Sequence, residues 1–211
     1  MKIKDIIEQI QIQINDFSSE ENPWSLLEHL QKHKITSTNK SYWDGVNILP
    51  NSNLITGSNC VIQPSTVING NIILGNNVFI GAHCLIRGNV FIGDNTIIGS
   101  YNEISRSVIG NNNKISHRND ILDSVIGNNC WLTSNISIHN VKIDLSNIDI
   151  EYENEKSSVP TFGCIIEDNV KIGLWAKIMP GTVIPKNKKI IGPCIISKNT
   201  IRKLSTEKIN L

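Results

Sequence analysis

Five cysteines and five histidines are the side chains of this 211-residue chain best suited to nucleophilic attack, metal ligation or proton transfer. Cys60, Cys84, Cys130, Cys164 and Cys194 show no C-x-x-C spacing, so they do not read as a metal or redox set. Each lies two residues before an aliphatic residue of a repeat, and Val78 fills the same slot before Ile80. A slot shared by Cys and Val calls for a small buried side chain, which a free thiol supplies. Imidazole, titrating near pH 6.5, suits general-base work at neutral pH. His29 and His33 stand four apart on an expected helix with no third ligand in view, which reads as an exposed pair. His83, His117 and His139 fall in the repeat region.

That repeat is what must position them. An aliphatic residue returns every sixth position at Ile62, Ile68, Leu74, Ile80, Ile86, Ile92, Ile98 and Ile104. One residue is dropped, then Ile109, Ile115 and Ile121 follow; another is dropped, then Ile126, Leu132 and Ile138. Ile166, Ile172, Ile178, Ile184, Ile190 and Ile196 close the series. Units this short bury an apolar face only by stacking, so the chain must wind into a solenoid. Gly-Asn/Asp-Asn triplets such as Gly75-Asn76-Asn77 and Gly93-Asp94-Asn95 mark corners, because these residue types tolerate positive φ. Three corners close a coil of about eighteen residues, and coils stack about 4.8 Å apart, giving six to seven coils.

The segment 139–165 breaks the period, and an excursion from a regular solenoid is a candidate functional element. Upstream, Ile3, Ile6, Ile7, Ile10, Ile14 and Phe17 follow helical spacing, and Asn22-Pro23 reads as the N-cap and first position of a second helix. The expected organisation is a helical cap over 1–43 covering the open end, a solenoid over 44–200 and a tail over 201–211. A net charge of +1 gives no reason to expect nucleic acid or an acidic membrane. No apolar run approaches the roughly 20 residues of a membrane span, and the first residues lack a signal-peptide apolar block, so a cytoplasmic protein is expected.

The run from Ser116-His117-Arg118-Asn119-Asp120 to Ile126-Gly127 resembles the catalytic-histidine segment of the bifunctional uridylyltransferase/glucosamine-1-phosphate acetyltransferase. It is at least as similar to the C-terminal half of sugar-1-phosphate nucleotidylyltransferases, which Asn22-Pro23-Trp24, Phe162-Gly163-Cys164 and Met179-Pro180-Gly181 also fit. The resemblance spans about residues 22 to 185. It implies an all-β, left-handed parallel β-helix with a short N-terminal helical cap, acting as a homotrimeric acyltransferase with acetyl-CoA as cosubstrate and no metal. The acceptor would be an amino sugar phosphate or nucleotide sugar. In that scheme His117 is the general base, Asn140 binds substrate beside it, and Asp120 orients the imidazole. Arg87 grips the sugar phosphate, with Ser105 and Arg106 beside it. Leu174, Gly192 and Arg202 (or Lys203) meet the CoA arm and its phosphates.

Four departures stand out. Ser105 replaces a phosphate-binding Lys, Asp120 a Tyr, Ser146 a Lys, and Val159-Pro160-Thr161 a basic cluster. They imply either a different substrate or a catalytically inactive trimeric scaffold or regulatory partner of a sugar nucleotidylyltransferase. The Gly-rich nucleotide loop of the nucleotidylyltransferase half has no counterpart before residue 44. A three-histidine metal site as in gamma-class carbonic anhydrases would need paired histidines five residues apart, which this chain lacks.

Overall fold

The structure, a computed structural model, describes residues 22–32, 43–198 and 201. Twenty of its 22 strands form two parallel sheets that wrap a three-sided solenoid, and the other two form a hairpin. One face is a seven-stranded sheet running through Val61–Ile62, Phe79–Ile80, Ile97–Ile98, Lys114–Ile115, Trp131–Leu132, Lys171–Ile172 and Lys189–Ile190. The other two faces share a thirteen-stranded sheet, because Val67–Leu74 and Leu85–Ile92 turn a corner without leaving it. Paired residues on successive coils are mostly 18 apart, as Val67 with Leu85, and 17 apart where a hexad is shortened, as Ile104 with Ile121.

The aliphatic ladder lines the interior. Every member from Ile62 to Ile196 is buried except Ile190, which packs against the core partly buried. Between rungs lie the residues two places earlier, and these are chosen for more than size. Cys84 Sγ donates to Gly99 O at 3.1 Å, Thr96 Oγ1 to Gly110 O at 2.9 Å, and Asn113 Nδ2 to Gly110 O and Gly127 O, both at 2.8 Å. These short donors satisfy corner carbonyls that face inward, away from water. Cys84, Cys130 and Cys164 are buried, as their slot predicted, while Cys60 and Cys194 are half-buried. Burial pushes the Cys130 thiol up to about 11 and that of Cys164 up to about 12, so neither is a nucleophile near neutrality.

The corner triplets differ from the expectation in one respect. Positive φ falls on the last residue, Asn77, Asn95, Asn112 and Asn129, and not on the glycine. Gly75 is small for another reason: a Cβ there would stand 2.2 Å from Asp94 Oδ1, which caps this corner from the next coil. Asp94 Oδ1 accepts the Asn76 N–H at 2.7 Å, and the pattern repeats from Ser58 to Asp168.

A second apolar cluster lies outside the coils. Ile73, Phe91, Val108, Val125 and Ile165 point outward from one face and are covered by Trp24, Leu26 and Leu27 of the helix Pro23–Lys32, and by Ile148, Ile150, Tyr152 and Phe162 of the excursion. The helix begins as expected, with Asn22 Oδ1 accepting the Ser25 N–H at 3.0 Å. It packs on the side of the prism and not over an open end. The helix expected before residue 20 and the tail beyond 201 lie outside the described residues, as does Arg202. The excursion folds into an antiparallel hairpin of Ile148–Tyr152 with Glu155–Val159.

Candidate active site

Three corner columns run the length of the prism. The first carries the Asn/Asp caps. The second holds His117: its Nδ1 accepts the Ser100 N–H at 3.0 Å, and Ser134 Oγ accepts the His117 N–H at 3.3 Å. His117 thus occupies, on the second corner, the place that Asp94 or Asn111 holds on the first. Its imidazole is exposed. With a backbone N–H on Nδ1, the neutral ring carries its proton on Nε2, so the outward atom is a donor. Asp120 does not orient the ring as the resemblance implied; it faces Ser137, whose Oγ lies 3.3 Å from Asp120 Oδ2. Leu174 lies on the same column two coils further on, half exposed, and Gly192 follows it one coil later. Gly192 is pressed onto Leu174, whose carbonyl oxygen a Cβ at Gly192 would meet at 1.8 Å.

The third corner gathers Arg87, Arg106 and Asn140. All three irregularities of the repeat fall on it: the steps from Ile104 to Ile109 and from Ile121 to Ile126, and the excursion after Ile138. Arg106 and Asp123 are therefore 17 residues apart and stack one coil above the other. Arg106 grips Asp123 with two bonds, Nε to Oδ1 at 2.5 Å and Nη2 to Oδ2 at 2.7 Å, and Asn140 Nδ2 donates to the same carboxylate. The Asp123 bond holds the Arg106 guanidinium above its ordinary range despite partial burial. Arg87 is paired in turn with Glu103 at 2.7 Å. Ser105 is fully buried and its hydroxyl has no partner among the described residues, so it cannot touch a ligand at this corner. Ser146, at the base of the hairpin, bonds Asp144.

The structure thus brings Arg87, Arg106 and Asn140 together and leaves His117 on another corner, one hexad or roughly 20 Å of extended chain away. Glu103 and Asp123 complete the cluster and were not singled out from the sequence. Their signal was available: Asp123 lies 17 residues after Arg106, one shortened coil, and Glu103 lies 16 after Arg87, two residues before its partner Ser105 on the next coil. Among the described residues no three His, Cys, Asp or Glu side chains converge to hold a metal. A cavity of about 890 Å³ opens between the hairpin and the last coils, lined by Asp149, Glu151, Lys156, Val183 and Lys198 among others.

Against known families, the model described as the GMPPB C-terminal domain matches residues 47–160, more than half of the chain. The chain belongs to that family. The match takes in Arg87, Arg106, His117 and Asn140 and most of the excursion. No curated protein matches. Solved structures resemble it in fold. The UDP-N-acetylglucosamine acyltransferase from Campylobacter jejuni shows 16% identity over 73% of this chain with a TM-score of 0.46, and this chain spans 64% of that protein. The polySia-specific acetyltransferase NeuO shows 15% identity over 73% of this chain and 80% of its own, with a TM-score of 0.33. An N-acyltransferase from Bacillus cereus, solved with dTDP and coenzyme A, shows 13% identity over 73% of this chain and 68% of its own, with a TM-score of 0.29.

Proposed function

We propose that this protein is a CoA-dependent acyltransferase acting on an amino sugar phosphate or nucleotide sugar, with His117 as its base. The observation that carries the reading is an exposed imidazole held on a rigid corner, within a segment that resembles the catalytic segment of sugar acetyltransferases. In the reaction the acceptor amine or hydroxyl attacks the thioester carbonyl, the C–S bond breaks, and the acceptor proton passes to the imidazole and on to the departing thiolate. The Ser100 N–H must first leave Nδ1, since the outward nitrogen is otherwise protonated. Leu174 and Gly192 would flank the pantetheine arm, and Arg202 its phosphates. Arg87 and Asn140 lie on a different corner of the same subunit, so they join His117 only across an interface. In a homotrimer this requires the third corner of one subunit to lie beside the His117 corner of the next.

A second reading is a non-catalytic trimeric scaffold or regulatory partner of a sugar nucleotidylyltransferase. It is favoured by His117 and Arg106 each being engaged in bonds that hold the coils. Acetyl-CoA titration by calorimetry, with turnover measured on a panel of amino sugar phosphates and nucleotide sugars, separates the two. Micromolar binding with turnover supports the enzyme. No binding at millimolar acetyl-CoA supports the scaffold.

A further inference from the structure

We propose that the His117 corner carries a binding slot for a planar nucleobase, opened at Asn135 between Arg118 and Trp175. The corner's left-handed positions are Ser65, His83, Tyr101, Arg118, Asn135 and Trp175, with φ between 56° and 65°. On the first corner the equivalent positions are Asn59, Asn77, Asn95, Asn112, Asn129, Asn169 and Asn187, all asparagine. Asparagine is the side chain that tolerates this backbone best, and bulky ones are disfavoured in it. The same coils thus use the comfortable residue on one corner and aromatic or guanidinium groups on the other. Unfavourable backbone choices of this kind cluster at functional sites.

The side chains there already stack at the rise of the coils. His83 and Tyr101 lie 4.9 Å apart and 11° from parallel, and the Arg118 guanidinium sits 5.3 Å over the Tyr101 ring. Backbone bonds carry the column onward: the Asn135 N–H reaches His117 O at 3.1 Å and the Trp175 N–H reaches Ser134 O at 3.2 Å. Asn135 therefore interrupts a ladder of planar groups with a short side chain. Two rises of about 4.8 Å separate Arg118 from Trp175. One ring placed midway meets both at offset-stacking distance. Trp175 is 62% exposed, and the Asn135 amide forms no hydrogen bond among the described residues, leaving a donor and an acceptor for the edge of a base. The base could belong to the adenine of an acyl-CoA or to a nucleotide sugar. The inference needs binding only and stands whichever function holds.

The test uses the full chain with ADP, UDP, GDP and pantetheine, followed by calorimetry and tryptophan fluorescence. At least one nucleotide should bind, with Trp175→Ala weakening it about 10-fold or more and Trp175→Phe retaining most of the affinity. The melting temperature of both variants should stay at that of the parent, since the indole is exposed. ADP binding alone identifies the CoA adenine as the source; UDP or GDP binding identifies a nucleotide sugar. No nucleotide binding at millimolar concentration, or equal affinity in Trp175→Ala, overturns the slot. Acetyl transfer is assayed separately, so loss of the transferase reading leaves this result unaffected.

Discussion

Replacing His117 by Asn and by Ala separates its two possible jobs. In the structure the ring does what Asn and Asp do on the first corner, accepting a backbone N–H from the preceding coil: 3.0 Å to Ser100, against 2.7–2.9 Å for Asn76, Asp94, Asn111, Asn128 and Asp168. His Nδ1 and Asn Oδ1 are both attached to Cγ, so an amide can reach the same N–H. Gly99 reinforces the case, because a Cβ there would stand 2.8 Å from His117 Nδ1, as one at Gly93 would stand 2.3 Å from Asn111 Oδ1. His117→Ala removes one hydrogen bond at a site water can reach, a loss of about 1 kcal/mol. For a chain of this size that lowers the melting temperature by roughly 2–4 °C. His117→Asn should recover at least half of that loss. Neither variant can accept the proton, so both should lose acyl transfer while only Ala melts early. Thermal unfolding by circular dichroism, beside the turnover assay, reads both. If His117→Asn melts as low as His117→Ala, the cap is not what the imidazole provides. If His117→Asn keeps turnover, the imidazole is not the base.

Ile150→Asp should detach the hairpin, since Ile150 is 1% exposed within the outer cluster, and burying an unpaired carboxylate there costs at least about 3 kcal/mol; amide exchange over Ile148–Val159 should rise. Asn113→Ala leaves Gly127 O and the Cys130 N–H without their buried partner, while Gly110 O keeps Thr96, a cost of about 2–3 kcal/mol measurable by urea unfolding. Alkylation at pH 8 should leave Cys130 and Cys164 unmodified in the native chain, because thiols at about 11 and about 12 are almost wholly protonated there; modification of either as fast as of a denatured control would contradict their burial.

The architecture was legible because a six-residue period leaves one solution for burying its aliphatic residues, and the ladder from Ile62 to Ile196 lies where the period puts it. The helix start at Asn22-Pro23 was legible from local chemistry alone. The side-face position of that helix was not, since it depends on outward residues such as Phe91 and Val108, whose exposure the period does not reveal. The hairpin was hidden for the same reason. Ile148, Ile150 and Tyr152 alternate as a strand does, yet what they cover is set by Ile165 on another coil. Deleting residues 142–160 removes no hexad, but it would strip this cover, so the excursion is structural as well as a candidate for binding. For the site, the resemblance put Arg106 beside Arg87 and Asn140 beside His117, whereas the structure gathers Arg87, Arg106 and Asn140 on one corner and leaves His117 on another. Spacing alone could not disclose that Asp123 and Glu103 neutralise the arginines, because pairing depends on which side chains lean along the column.

The charges on that third corner bear on where a ligand can act. Asp123 is 5% exposed and takes bonds from both Arg106 and Asn140, while Arg87 is held by Glu103. A sugar phosphate arriving there must compete with carboxylates already in bidentate and charge-assisted contact, the strong class of such bonds. The three shortened or inserted corners meet at this point, and the network ties coils whose backbones depart from the regular hexad. The His117 corner is the opposite case. Its coils keep the regular step, its backbone caps are satisfied, and Tyr101, Arg118, Leu174 and Trp175 remain turned outward. A corner that needs no repair is free to present its side chains to a ligand, and on that ground the His117 corner is the better place to look for chemistry than the arginine cluster.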